Sequence, residues 1–204
     1  GKPAGSDKFL RSFDHVNTHL GAGGYLDVGT QTLGKGQQAL FRAILRFDLT
    51  ALVGATIANA ALTLTAASGS VTGDSFTLHR LTQPNWTELG ATWNTYDGAN
   101  AWSVAGGDFV SAPAQSLAIS SAQNLIFDNL QDLVEDAIEQ RAGILDVLVK
   151  GTAVSGLQYL ELYSASDATP SNRPKLVVEF DFRTWCVESG DVPEYVVEIS
   201  DEGC

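Results

Sequence analysis

Apolar and polar residues alternate along most of this chain in short runs. In A-L-T-L-T at 61–65, Leu62 and Leu64 fall on one side, Thr63 and Thr65 on the other. In Q-Y-L-E-L-Y at 158–163, Leu160 and Leu162 oppose Tyr159, Glu161 and Tyr163. A period of two marks an extended strand with one face buried and the other solvated. Segments that read as strands cover 8–14, 25–30, 42–49, 58–66, 75–82, 116–121, 145–150, 158–164 and 175–182. Clusters of Gly, Asn, Asp, Ser and Pro separate them, which is the punctuation of an all-β chain. The pattern predicts antiparallel sheets packed face to face as a β-sandwich.

One segment has a different period. In 128–143, Leu130, Leu133, Val134, Ala137 and Ile138 recur at helical spacing. Asp128 with Gln131 has the form of a capping box, and Gly143 suits the left-handed end of a helix. Acids near the start and Arg141 near the end complement the helix dipole. The spacing predicts one short amphipathic helix against the sandwich. Beyond Phe182 the character changes again. Residues 183–204 are acidic, with a Ser-Gly-Asp turn between two strand-like runs. They read as a hairpin or extended arm appended to a sandwich at 8–182. Such an arm packs on its own sandwich, adds a strand to a neighbour, or begins a further domain.

Composition narrows the function. At 204 residues and 44% hydrophobic, the chain is long enough for one large sandwich or a domain with an appendage. No run approaches the roughly 20 apolar residues of a membrane helix. There is no methionine, so the reading is of a processed chain or one excised from a longer product. A net charge of −12 leaves no basic footprint for nucleic acid. It also disfavours anionic membranes and anionic polysaccharides, and it suits a calcium ion.

The sequence carries little catalytic chemistry. It has no G-x-S-x-G elbow, no P-loop and no C-x-x-C pair. His15 and His19 stand four apart, but their flanks are strand-like and glycine-rich, and no third ligand has metal-like spacing. Asp14, Asp48 and Asp181 each lie near a strand end, where a carboxylate reaches a structural calcium between loops. They are the candidate ligands for Ca2+. Cys186 and Cys204 are either a disulfide closing a short tail loop or two free thiols. Asn85 opens a formal N-W-T sequon that matters only in a eukaryotic secretory pathway. Paired carboxylates for glycoside hydrolysis are spatial rather than sequential, so 24 acids do not by themselves argue for an enzyme.

Aromatic residues are the remaining candidates. N-W-T-E-L-G-A-T-W-N at 85–94 sets Trp86 and Trp93 on either side of a turn at Gly90. Tyr96 and Trp102, in N-T-Y-D-G-A-N-A-W, are the candidate ligand-binding rings, because aromatic faces bury the apolar faces of sugars; the alternative is that Trp102 caps the edge of the sandwich.

Several segments together resemble the DNRLRE domains, a disaggregatase-related family. They are S-F-D-H-V-N-T, Y-L-D-V-G-T, R-A-I-L-R-F-D-L, I-A-N-A-A-L-T-L-T, W-T-E-L-G-A-T-W-N and Y-S-A-S-D-A-T-P-S-N-R-P-K-L-V-V-E-F. In order and spacing they cover most of 9–182. The resemblance implies a jelly-roll-like antiparallel β-sandwich, similar to carbohydrate-binding modules, without catalytic residues. It implies an extracellular, cell-surface or virion setting. The best-matched positions are Leu45, Phe47, Leu62, Leu64, Trp86, Trp93 and Pro174, mostly apolar, so Trp86 and Trp93 read as core. Two departures stand out: E-D-A-I-E-Q-R-A-G lacks the tryptophan the family tends to carry there, and the tail is extra. The expected task is non-catalytic binding or adhesion, with neutral carbohydrate as partner. The alternative is a structural subunit of a virion, fibre or surface filament whose C-terminal arm pairs with a neighbour.

Overall fold

The computed structural model describes residues 6–12, 24–153, 155–181 and 194–198, with backbone alone at 6, 9 and 194–198. The strands are β1 (Ser6–Arg11), β2 (Tyr25–Thr32), β3 (Gln38–Asp48), β4 (Thr56–Leu64), β5 (Ala66–Ser70) and β6 (Asp74–Arg80). They continue as β7 (Gln115–Ile119), β8 (Leu125–Phe127), β9 (Ile144–Gly151), β10 (Gln158–Tyr163), β11 (Lys175–Asp181) and β12 (Glu194–Glu198). The α-helix α1 (Gln131–Gln140) precedes β9. Every strand pairing among the described residues is antiparallel.

The larger sheet runs β5-β10-β2-β3-β9-β6-β7. β3 is long enough to take two partners along one edge: β2 pairs with its first residues and β1 with the rest. The smaller sheet runs β12-β11-β4-β8. Alternate residues of both sheets meet between them, as the period of two requires. Leu45, Phe47, Leu160 and Leu162 from the larger sheet pack with Leu62, Leu64, Leu176 and Val178 from the smaller. The chain is an all-β sandwich.

α1 buries Leu133, Val134, Ala137 and Ile138 against β4 and β9, so its apolar stripe faces the core. The expected capping box does not form. Leu130 is the N-cap residue and makes no side-chain cap bond, while the Gln131 side chain donates to Glu135. The C-terminus does turn left-handed, at Ala142 (φ 53°) and Gly143 (φ 82°). The Gly143 N–H closes the end on the Ala137 carbonyl at 2.9 Å. A Cβ on Gly143 would sit 2.6 Å from the Thr50 Cα, so the helix end packs directly on the loop after β3.

Two strands were not signalled by period. A-A-S-G-S becomes β5 through its pairing with β10, and the three residues of β8 pair with β4. Of the readings open for the tail, the described part packs on its own sandwich: β12 pairs antiparallel with β11. Asp14, His15, His19, Cys186 and Cys204 lie outside the described residues.

The larger sheet has a second core on its other face. Ile44 and Leu148 point away from the sandwich interior and join Leu10 under the long connection after β6. That connection contributes Leu81, Trp86, Ala91, Trp93 and Trp102. The sheet is therefore buried on both faces in its middle, under β1, β3 and β9.

Candidate functional site

The loop tryptophans are structural. Trp86 is 2% exposed, and its indole N–H donates to Asp146 Oδ1 at 2.8 Å. Asp146 in turn accepts from Arg46 Nε at 2.8 Å and from its Nη2 at 2.9 Å, and the Arg46 guanidinium lies 5.0 Å from the Trp86 ring centre. A buried indole and a buried carboxylate are thus both paired. Trp93 is capped by the Arg42 guanidinium at 4.8 Å. Gly90 allows the fold-back between these rings by close approach, since a Cβ there would lie 2.3 Å from the Asp97 carbonyl.

Trp102 corrects one expectation. It is 5% exposed, and its ring N–H donates to the Thr92 carbonyl at 2.9 Å. Tyr96 meets it edge-on at 5.8 Å and is partly buried against the same second core. The physical reason is the outward-facing Ile44 and Leu148, which need an apolar cover. Trp102 supplies part of that cover and has almost no ring face left for a sugar.

Exposed aromatic surface lies elsewhere, on the outer face of β5, β10 and β2. Leu26, Val28, Leu160 and Leu162 point into the sandwich, so Tyr25, Asp27, Tyr159, Glu161 and Tyr163 point outward. Tyr25 and Tyr163 are direct partners across β2 and β10, their ring centres 5.6 Å apart at 46°. Tyr25 is 46% exposed. Glu161 stands opposite Asp27, and the Tyr159 hydroxyl lies 3.1 Å from Asp27 Oδ1 and 3.0 Å from Glu161 Oε1. One phenolic proton serves one of these carboxylates at a time. The Ser68 hydroxyl on β5 donates to Glu161 Oε2. Beyond Tyr159 the exposed row ends on Phe41, 5.5 Å away and only 3% exposed, with the Arg11 guanidinium 5.3 Å from the Phe41 ring centre.

Electrostatics single out the same group. Burial, the largest influence, and the neighbouring Glu161 push Asp27 up to about 6, against the opposing pull of Tyr159 and Arg11. Burial and the two carboxylates also push the Tyr159 hydroxyl well up, so it stays a proton donor. A carboxyl whose folded pKa is raised holds its proton more tightly folded than unfolded. Its contribution to stability is complete below about 4 and is lost as pH rises through about 6. Asp27→Asn should therefore flatten the fall in melting temperature between pH 4 and pH 7. An unchanged slope would exclude Asp27 as its source.

The other candidates stand apart. His79 is buried, with Nδ1 2.9 Å from the Val110 carbonyl and Nε2 2.9 Å from the Thr77 hydroxyl, and burial lowers its pKa. A neutral ring bonded at both nitrogens has none free for a metal. Asp48 accepts from the Thr50 amide and hydroxyl at 3.0 and 2.7 Å, and Asp181 ends β11 exposed to solvent. Among the described residues, no group of three or more His, Cys, Asp or Glu is placed to hold a metal ion. A hollow beside Phe109 is lined by Thr82, Gln83, Val104 and Asp108, but Arg42 and Lys150 lie over the Phe109 ring.

A β-sandwich with an exposed aromatic and hydrogen-bonding face has the architecture of a ligand-binding module. The family model for carbohydrate-binding module family 96 matches residues 2–180, and the chain belongs to that family. A search of curated proteins finds no match.

The sequence reading did not assign Tyr25, Asp27, Tyr159, Glu161 or Tyr163 to a site. A signal was present: in both Y-L-D-V and Q-Y-L-E-L-Y the residues on the solvated side include tyrosine and a carboxylate.

Proposed function

We propose that the protein is a non-catalytic, extracellular glycan-binding module of the DNRLRE type that holds neutral carbohydrate on the face formed by β5, β10 and β2. The observation that carries this reading is the half-exposed Tyr25 ring against Tyr163, set beside Asp27 and Glu161. Tyrosine faces bury the apolar faces of sugar rings. Carboxylate oxygens accept hydrogen bonds only, so they suit hydroxyl groups and repel anionic sugars. The overall charge of −12 favours the same partners. Membership of a carbohydrate-binding family supports the ligand class. The alternative of a structural subunit with a strand-donating arm draws less support, because β12 is paired with β11 of its own chain.

Calorimetric titration against soluble neutral glycans of several linkages tests the reading. At least one should bind. Tyr25→Ala should weaken that binding at least tenfold with little change in melting temperature, because a half-exposed ring contributes little to the core. No binding to any glycan, or full affinity in Tyr25→Ala, would overturn it.

A further inference from the structure

One flank of the sandwich is built from uncharged segments. The chain holds 24 acidic and 12 basic residues, yet none falls between Asp48 and Asp74 or between Asp108 and Asp128. The fold brings these two stretches together. β8 pairs with β4 through Leu125, Ile126 and Phe127, and Asn124 Oδ1 accepts from the Ala66 amide at 3.0 Å. The flank consists of β7, the turn that follows it, β8, and the residues Asn59, Ala61 and Thr63 that alternate with the buried positions of β4. Asp74, opposite Ile119, and Lys175, opposite Thr63, stand at its rim. The exposed Ala118 and Ile126, with the half-buried Leu117, line a groove between the two edge strands.

We infer that two copies of this chain associate through this flank, with β7 pairing antiparallel to β7 of the second copy. β7 pairs with β6 and ends the larger sheet, so its other edge is open among the described residues. An open edge is a template for another strand, and proteins block such edges with charges, proline, bulges or short length. The other terminal strands are blocked in this way. β12 carries Glu194 and Glu198 at its ends, β5 is interrupted by Gly69 and meets β10 with a register shift, and β8 has three residues. β7, Q-S-L-A-I, has no such block. Its Ser116 amide is met by the side chain of its neighbour Gln115 at 2.9 Å, a bond that a partner strand replaces. A two-fold axis at Leu117 sets Leu117 against Leu117, Ser116 against Ala118 and Gln115 against Ile119, with no like charges opposed.

Charge favours a second copy as the occupant. Each copy carries −12, so two copies approach at least cost where neither presents a fixed charge. An acidic or basic partner finds no counter-charge there. β7 and the tyrosine strands also lie at opposite ends of the larger sheet. The pair therefore leaves the Tyr25 face of each copy open and carries two ligand faces on one particle. That consequence rests on the glycan-binding reading; the pairing itself does not.

Sedimentation velocity of the full chain without ligand tests the pairing. A flank of this size lies at the small end of protein interfaces, where association is weak, so the range from about 5 to about 500 µM is the informative one. The inference expects the mass to rise from monomer to dimer across that range. It expects added NaCl to strengthen the dimer, because salt screens the repulsion between two acidic copies. Ala118→Lys should weaken dimerisation at least tenfold, since the two-fold axis brings both new charges together. Ile126→Lys repeats the test at a second exposed position, on β8. Leu89→Lys adds the same charge at a residue 75% exposed on the connection after β6, outside this flank, and should dimerise as wild type does. A monomer at every concentration, a dimer that salt weakens, or a wild-type dimer in both Ala118→Lys and Ile126→Lys would overturn the inference. Each of those results leaves the glycan-binding reading untouched.

Discussion

Trp86→Ala should cost about 3–5 kcal/mol of stability, the range for removing a large aromatic from a packed core. The ring is 2% exposed and fills the space between Ile44, Leu148 and the long connection after β6. Truncation also removes the N–H bonded to Asp146, a carboxylate only 4% exposed. Arg46 remains to pair with Asp146, so the carboxylate keeps a partner and the loss stays within the cavity range. Trp86→Phe restores most of the volume without the donor. It should cost about 1.5–3 kcal/mol, the range for a hydrogen bond lost to a charged acceptor. Denaturant unfolding of the two variants separates volume from hydrogen bond. A Trp86→Ala loss below about 1 kcal/mol, with glycan binding abolished, would make this ring a recognition element instead of core.

Gly29→Ala should be comparably damaging, for a backbone reason. Gly29 has φ +108°, a region that L side chains rarely adopt. A Cβ there would stand 2.0 Å from the Gln158 carbonyl oxygen, a backbone atom of β10 that cannot move without breaking the ladder. Strain and overpacking each run to about 1–3 kcal/mol, so a total of about 3 kcal/mol or more is expected. Gly29 is also the Cα partner of both Tyr159 and Phe41, whose rings meet beside it. The substitution should therefore shift the Tyr159 hydroxyl away from Asp27 and Glu161 and weaken ligand binding as well. A variant with wild-type melting temperature would show that β2 and β10 lie farther apart than this structure has them.

Much of the fold was legible in the sequence because period two reports burial directly. A-L-T-L-T and Q-Y-L-E-L-Y each state which side faces the core, and the helical spacing from Leu130 to Ile138 states where the pattern breaks. β5 and β8 were not legible, since A-A-S-G-S has no apolar face and L-I-F is too short to show a period. Their strand character comes from partners distant in sequence. The place of Trp102 was illegible for a related reason. A-N-A-W-S looks like a solvated turn, and nothing local shows that Trp102 covers a second core. The signal lay in β3 and β9, where Ala43-Ile44-Leu45 and Val147-Leu148-Val149 are apolar on consecutive residues. A strand of that kind is covered on both faces. The candidate face was half legible. Alternation placed Tyr159, Glu161 and Tyr163 on the solvated side, but their meeting with Tyr25 and Asp27 depends on the register of β2 against β10.

The central claim is that strand tyrosines, and not the aromatic loop, recognise the ligand. Side-by-side calorimetry of Tyr25→Ala and Tyr96→Ala with the glycan the wild-type protein binds tests it most directly. The account predicts at least a tenfold loss of affinity in Tyr25→Ala and near-wild-type affinity in Tyr96→Ala. Intact binding in Tyr25→Ala with binding lost in a folded Tyr96→Ala would contradict it.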